Sequence, residues 1–425
     1  MVIDHFQPVL LAPDGAHVRE DIVHDCGAER ARGRLFLVRI GHAEAGLIIL
    51  DHLGHGIAGR GPVAETGHVK AARVHVEGYY KRTVVGAHAL ASWTVGQNET
   101  NPSTNTVGLQ VRQDHIQVGL DQTTRREISN PVSADEVMQS LVGVYAETNT
   151  AWLPQFRTVV GMRFDQFNAR TANTLVMGPS TTQQSQQLSP KFSAIWDALH
   201  HTEFFFNAGR GFHSNDARSQ AGLSRSQGEE LGLRTRALPH VQSSLALWRL
   251  NFDADLHYVG DAGTTEIGRP SQRTGLELNN RWTPQRHISL EANLAWSRPR
   301  YTDPSAMGNA VPNAVQKVAQ LHATASHMGA WSSALNVRYI GSAPLLEDNS
   351  MRSSANISTQ LRLSRRMSQD VTVSLDVFNL TNRKNNDIQY AYTSRLSGEP
   401  VAGVIDHHLH PAEPRTFRLG ARVQY

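Results

Sequence analysis

Three kinds of residue cluster in this sequence have the types and spacing for chemistry. In "DHHLHP" (Asp406 to Pro411), His408 and His410 share one face if the segment is extended. Imidazole nitrogens suit zinc, copper or haem iron, yet a closed site takes three or four ligands. A solvated loop is the simpler account, so no metal is assigned. "HDC" at His24 to Cys26 holds base and nucleophile types, but adjacent residues are not the spatial pair that covalent catalysis uses. No catalytic residue and no cofactor is expected. "GRGFHSNDAR" (Gly209 to Arg218) offers His213, Asn215, Asp216 and Arg218 as donors and acceptors after two glycines that permit a sharp exit. "GDAGTTEIGR" (Gly260 to Arg269) offers Asp261, Glu266 and Arg269 in the same way. Both stretches read as hydrogen-bonded loop turns or as ligand contacts.

The elements that position these clusters are alternating strands. "TFRLGARVQY" places Phe417, Leu419, Ala421, Val423 and Tyr425 on one face and Arg418 and Arg422 on the other. The same period of two runs through Val142 to Trp152, Phe156 to Phe164, Trp248 to Tyr258, Leu276 to Trp282, Ile288 to Trp296, Trp331 to Tyr339, Ile357 to Leu363 and Val371 to Val377. About fourteen such segments follow Thr106, many near the ~9–11 residues that cross a bilayer as a tilted strand. Charge decides what the second face meets. Arg157, Arg163, Asp165, Arg249, Asp253, Glu277, Arg281, Glu291, Arg338, Arg362, Asp376, Arg418 and Arg422 all read as polar-side residues. A charged side chain facing mid-membrane lipid costs about 2–4 kcal/mol, so the arginines are expected to face an enclosed hydrated lumen and pair there with carboxylates.

Connections and aromatic residues agree. Tight connections at 238–240, 283–286, 326–330 and 366–370 take turns with long ones at 168–190, 212–230, 259–272, 298–313, 341–355 and about 393–414. Trp152, Trp282, Trp331 and Tyr425 fall at short-turn ends of the apolar face, Trp296 at a long-loop end, and Phe417 on the apolar face of the last strand, as expected of two interfacial belts. Composition narrows the classes further. The 41 basic and 38 acidic residues are spread along the chain with no basic arm, which does not imply nucleic acid. One cysteine, Cys26, excludes an internal disulfide framework, and no run of about 18 apolar residues suggests a helical span. "MVIDHFQPVLLAPDG" lacks the basic start and apolar run of a signal peptide.

"VGVYAETNTAWLPQFRTVVGMRFDQF", "SPKFSAIWDALHHTEFFFNAGRGFHSNDAR", "VSLDVFNLTNRKNNDIQYAYTSRLSGEP" and "HPAEPRTFRLGARVQY" resemble the barrel of TonB-dependent outer-membrane receptors over about 105–425. The resemblance implies an all-β, antiparallel transmembrane β-barrel of 22 strands, of which about 14 are recognisable, with the family's plug domain absent here. It implies import of a scarce, bulky nutrient such as an iron chelate, with recognition rather than catalysis as the chemistry. The implied partners are outer-membrane lipid, the barrel assembly machinery and, for an intact relative, the TonB complex, whose contact segment has no counterpart. Residues 1–104, with nine of the 21 histidines and poor alternation, are expected to be an atypical segment of shifted-frame or degenerate origin. A passive porin-like channel, a soluble β-rich binding protein and a truncated product without function remain the alternatives.

Overall fold

The structure is a computed structural model that describes residues 32–40, 43–55, 74–96, 101–124, 127–176, 178–214, 217–219, 222–254, 256–259 and 264–424. Its first ten strands are β1 (Arg32–Ile40), β2 (Ala43–His55), β3 (Val74–Val95), β4 (Ser103–Thr124), β5 (Glu127–Leu153), β6 (Phe156–Asn173), β7 (Thr181–Leu199), β8 (Thr202–Ser214), β9 (Leu223–Thr235) and β10 (Val241–Phe252). A small hairpin follows, β11 (Leu256–Val259) and β12 (Thr264–Ile267). The main series resumes with β13 (Ser271–Gln285), β14 (Ile288–Tyr301), β15 (Lys317–Met328), β16 (Trp331–Ile340), β17 (Asn356–Arg366) and β18 (Val371–Phe378). A second hairpin, β19 (Asn386–Ser394) and β20 (Val404–Pro411), precedes the final strand β21 (Thr416–Val423).

Seventeen strands form one sheet, each antiparallel to its neighbour in the series, with β10 passing directly to β13 and β18 to β21. Fourteen of them start at Ser103 or later, and β1–β3 extend the sheet upstream. The boundary expected at residue 105 falls inside β4. No α-helix occurs among the described residues; a short 3-10 turn spans Ala217–Ser219.

Period-two alternation fixes two faces. On one stand Val107, Leu109, Val144, Met162, Leu231, Leu247, Leu294, Leu321 and Leu419, all exposed rather than packed on a second layer. On the other stand charged and small residues. An exposed apolar surface running across so many strands exceeds what a soluble monomer tolerates, and it is the pattern of a sheet that meets hydrocarbon.

From β5 onward short and long connections alternate. Pro154 and Gln155 join β5 to β6, and Gly329 and Ala330 join β15 to β16. At Gly329 the backbone takes φ +64° with open space around it, so glycine fits that turn without strain. The long connections are shorter than the sequence suggests. β6 runs on to Asn173 and β7 starts at Thr181, so most of the loop expected at 168–190 is strand. The loop expected at 212–230 shrinks likewise, between Ser214 and Leu223. Polar stretches such as "TTQQSQQLS" pair with β6 along their whole length without any apolar alternation, which is why they read as loop.

Candidate functional site

Cross-strand pairing concentrates charge on the face opposite the apolar one. Arg163 Nε donates to both oxygens of Asp165, at 2.9 and 2.8 Å, and the Asp165 side chain is fully buried. Their room comes from Gly143 on the neighbouring strand, where a Cβ would collide with the Arg163 guanidinium and the Asp165 carboxylate. Arg82 and Arg112 converge on Asp114, each with an Nε donating at 3.0 Å. Lys191 pairs with Glu147, and Arg234 with Glu203 at 3.1 Å. Further along the sheet Arg281 lies 3.7 Å from Glu291, while Arg362 and Arg418 share Asp376. Glu277, Arg338 and Arg422 stand on this same face by register.

Aromatic rings fill the gaps that cross-strand glycines leave on this face. Tyr145 covers Gly108, Phe205 covers Gly232 and Trp248 covers Gly275. Above them Ile116, Val137, Phe167 and Ala169 make a buried apolar cluster, and Ala217 of the 3-10 turn packs onto it. The connection between β8 and β9 therefore folds over the charged face instead of standing away from it. Arg218 consequently lies 3.7 Å from Asp135.

Two residues expected on the charged face lie elsewhere. Arg249 pairs with Thr274 and Glu229, on the face of Leu247, Leu276 and Trp282. Trp248 and Leu250 take the opposite face, with Glu277 and Arg281. The apolar phase of β10 thus changes sides at Leu247/Trp248, because the upper part of the charged face needs rings and aliphatics to cover Gly275 and Gly228. Asp253 follows the end of β10, its backbone N–H donating to Arg225 O at 3.0 Å.

The remaining site candidates divide. His213 lies near the end of β8 with its ring edge-on to Phe252, centroids 6.3 Å apart, and the Arg273 guanidinium lies 5.0 Å from the centre of the same Phe252 ring. This trio sits at the long-connection rim of the charged face. Asn215, Asp216 and Asp261 lie outside the described residues, as does Tyr425; Glu266 is paired with His257 in the small hairpin, and its side chain is outside the description.

Arg269 is a tie among three outer connections. Its Nε donates to Asp303 Oδ1 and Oδ2 at 3.0 and 2.9 Å, Nη2 to Asp303 O at 2.8 Å, and Nη1 to Gly308 O at 3.1 Å and Glu347 Oε2 at 2.6 Å. The guanidinium also lies 4.5 Å over Tyr301. The Arg269 hydrogen bonds hold the Asp303 carboxyl below its ordinary range. Asp348 nearby is held low by the Ser350 backbone N–H and hydroxyl. With its donors committed, Arg269 organises loops. Spacing along the chain could not signal this, since Asp303 and Glu347 lie 34 and 78 positions away.

In the β19–β20 hairpin His408 stacks on Tyr392 at 3.7 Å with an interplanar angle of 10°. His410 lies on the same face two residues on, opposite Ile388. Among the described residues no group of three potential metal ligands forms.

The belts are fuller than expected. Trp152, Trp282 and Trp331 stand exposed at short-turn ends, and Trp93 and Trp196 join them there. Trp296 lies exposed toward the long-connection end, and Phe417 opens β21 at that end. Sequence reasoning missed Trp93 and Trp196, although Trp196 lies just before the short turn that joins β7 to β8.

Residues 65–380 match the family described as TonB dependent receptor-like, beta-barrel. The ferric citrate transporter FecA in its unliganded form is similar at TM-score 0.67 and 15% identity, covering 92% of this chain and 60% of that one. The ferric yersiniabactin uptake receptor FyuA from Yersinia pestis is similar at TM-score 0.66 and 15% identity, covering 93% and 61%. The copper transporter OprC is similar at TM-score 0.63 and 15% identity, covering 90% and 62%. The chain thus spans about three fifths of the length of these structures. At such identities the likeness establishes the fold. No curated protein matches the chain.

Proposed function

The chain belongs to the TonB-dependent receptor family, whose barrels reside in the outer membrane, and from that premise we propose that it forms the barrel portion of an importer for a scarce, bulky nutrient of the metal-chelate class. The observation that carries this reading is the division of the sheet: exposed Leu231, Leu247 and Leu419 on one side, and the Arg163–Asp165 and Arg362–Asp376–Arg418 pairs on the other. Such a sheet separates hydrocarbon from an aqueous path wide enough for a large solute. The cargoes named for FecA, FyuA and OprC, two ferric chelates and copper, support the substrate class. The rim formed by His213, Phe252 and Arg273 is the proposed first contact, supplying an imidazole, a ring and a guanidinium at one edge. His408 and His410 are proposed as secondary contacts on the outer hairpin. TonB and the barrel assembly machinery are the proposed partners.

Uptake of labelled ferric chelates tests the reading, in cells that express the gene with its own upstream region and lack other such receptors. Uptake that ceases when TonB is removed is expected. Uptake at an undiminished rate without TonB would instead identify a passive channel.

A further inference from the structure

One wall of the charged face carries a ladder of cations that pairing within the sheet leaves uncompensated. From the short-turn end upward, the rows of β16, β17, β18 and β21 alternate in character. The lowest sets Arg366 and Arg422 on either side of Thr372. Above it lies a row of small groups, Ser332, Ser364, Ser374 and Gly420. The third row holds Ala334, Arg362, Asp376 and Arg418. Asn336 and Gln360 follow, and then Arg338 between Gln320 and Ser358. These four strands thus put five arginines and one carboxylate on the charged face. Arg338, Arg366 and Arg422 are exposed and make no ion pair among the described residues.

Same-face rows along a strand lie roughly 7 Å apart, so the arginine rows repeat about every 14 Å. A guanidinium presents a planar fork that matches a carboxylate. Arg362 and Arg418 already show that match, since both donate to Asp376. Asp376 also tempers its own row: two bare guanidiniums would trap an anion, whereas one resident carboxylate leaves a single net positive charge. Passage needs sites that bind strongly enough to admit a solute and weakly enough to release it. The serine and amide rows between supply hydrogen bonds without holding charge. On the other half of the sheet Arg82, Arg112, Arg163 and Lys191 are answered by Asp114, Asp165 and Glu147, so that wall carries its charge in closed pairs.

We propose that this ladder guides a polyanionic, carboxylate-bearing metal chelate down the β16–β21 wall. Arg338 is the outermost rung, Arg362 and Arg418 the middle one, and Arg366 and Arg422 the last before the short-turn end. The inference rests on the transport reading, and it adds the charge of the cargo and the side of the lumen that the cargo follows.

The test uses the same cells as the uptake experiment above and compares two labelled chelates, anionic ferric citrate and a neutral ferric trihydroxamate. Uptake should favour the anionic chelate by about tenfold, the lower end of what a wall of one sign supplies. R338Q/R422Q should remove most of that preference and R338K/R422K should keep it, with outer-membrane yield showing that each variant is assembled. Where the double variant does not assemble, Arg338→Gln alone should give the same shift in smaller measure. Asp376→Asn should lower KM and kcat together, because the middle row then releases its anion slowly. Equal uptake of the two chelates, or a preference that survives R338Q/R422Q, overturns the proposal. An equal loss of both chelates in R338Q/R422Q at normal yield also ends it, by giving the arginines a structural role in place of a guiding one. Unchanged KM and kcat in Asp376→Asn would sink the middle row and the ladder with it. If the unmodified chain takes up neither chelate in a TonB-dependent manner, the transport reading fails as well; TonB-dependent uptake without a charge preference defeats the ladder alone.

Discussion

The charged face differs between the two halves of the sheet. Along β4–β6 its innermost carboxylates are enclosed: Asp165 is fully buried, Asp114 nearly so, and an apolar cluster closes the wall above them, although Lys191 on β7 and Arg234 on β9 stand open. Along β16–β21 the guanidiniums stand open, with the Arg362 and Arg418 side chains 54% and 63% exposed and only Asp376 between them. The strands differ too, running 18–27 residues in β4–β7 against 8–11 in β16–β18 and β21. Long strands bring more rows than a bilayer needs, and the surplus rows pack against one another and against the folded β8–β9 connection. Short strands have no surplus. The first half is therefore a self-satisfied wall, and the second keeps charge available to whatever fills the interior.

Breaking the enclosed pair should show the difference most strongly. Asp165→Ala leaves Arg163 largely buried without its carboxylate and should destabilise the fold by about 3 kcal/mol, whereas Arg338→Ala should change little; denaturant unfolding in micelles measures both. An equal effect of the two would erase the distinction between the halves. The faces themselves are next. Leu247→Arg puts a charge on the apolar face and should cost about 2–4 kcal/mol if that position lies deep in hydrocarbon, less if it lies near the headgroups. Leu250→Arg, three residues on and on the opposite face, should assemble better, and outer-membrane yield distinguishes them.

Sequence and structure part company at instructive places. The fourteen downstream strands and the rhythm of short turns were legible because alternation repeats with each crossing and the loops are polar. β3 was not, because its outward side chains Ala87, Ala89 and Ala91 are too small to signal a lipid face. In β10 the strongest hydrophobes, Trp248 and Leu250, serve the inner wall, so reading them as lipid-facing carried Arg249 to the wrong side. The loop candidates were visible as polar, flexible stretches, but Arg269 and Arg218 meet partners set by tertiary placement, which spacing does not encode.

Two smaller effects sharpen the comparison. Gly275→Ala would press a Cβ into the Trp248 ring and to 2.7 Å from Trp296 O, and should destabilise by about 1–3 kcal/mol. Gly420→Ala, in the open half, meets only Ser374 Oγ at 3.0 Å and should cost less; the same unfolding series ranks them. Acid should act on the outer loops. Asp303 has its folded-state pKa lowered by Arg269, so its contribution is present above the ordinary carboxylate range, near 4, and is lost as pH falls through the lower folded value. Hydrogen exchange around 302–309 should stay slow at neutral pH and quicken only in that acidic window.

The Arg269 tie has an immunological consequence. Asp303 and Gly308 of one connection and Glu347 of another are held against one guanidinium. An antibody raised against the intact crown would recognise a composite epitope that no synthetic linear peptide reproduces, and Arg269→Ala would dissolve that epitope while leaving every crossing strand in place.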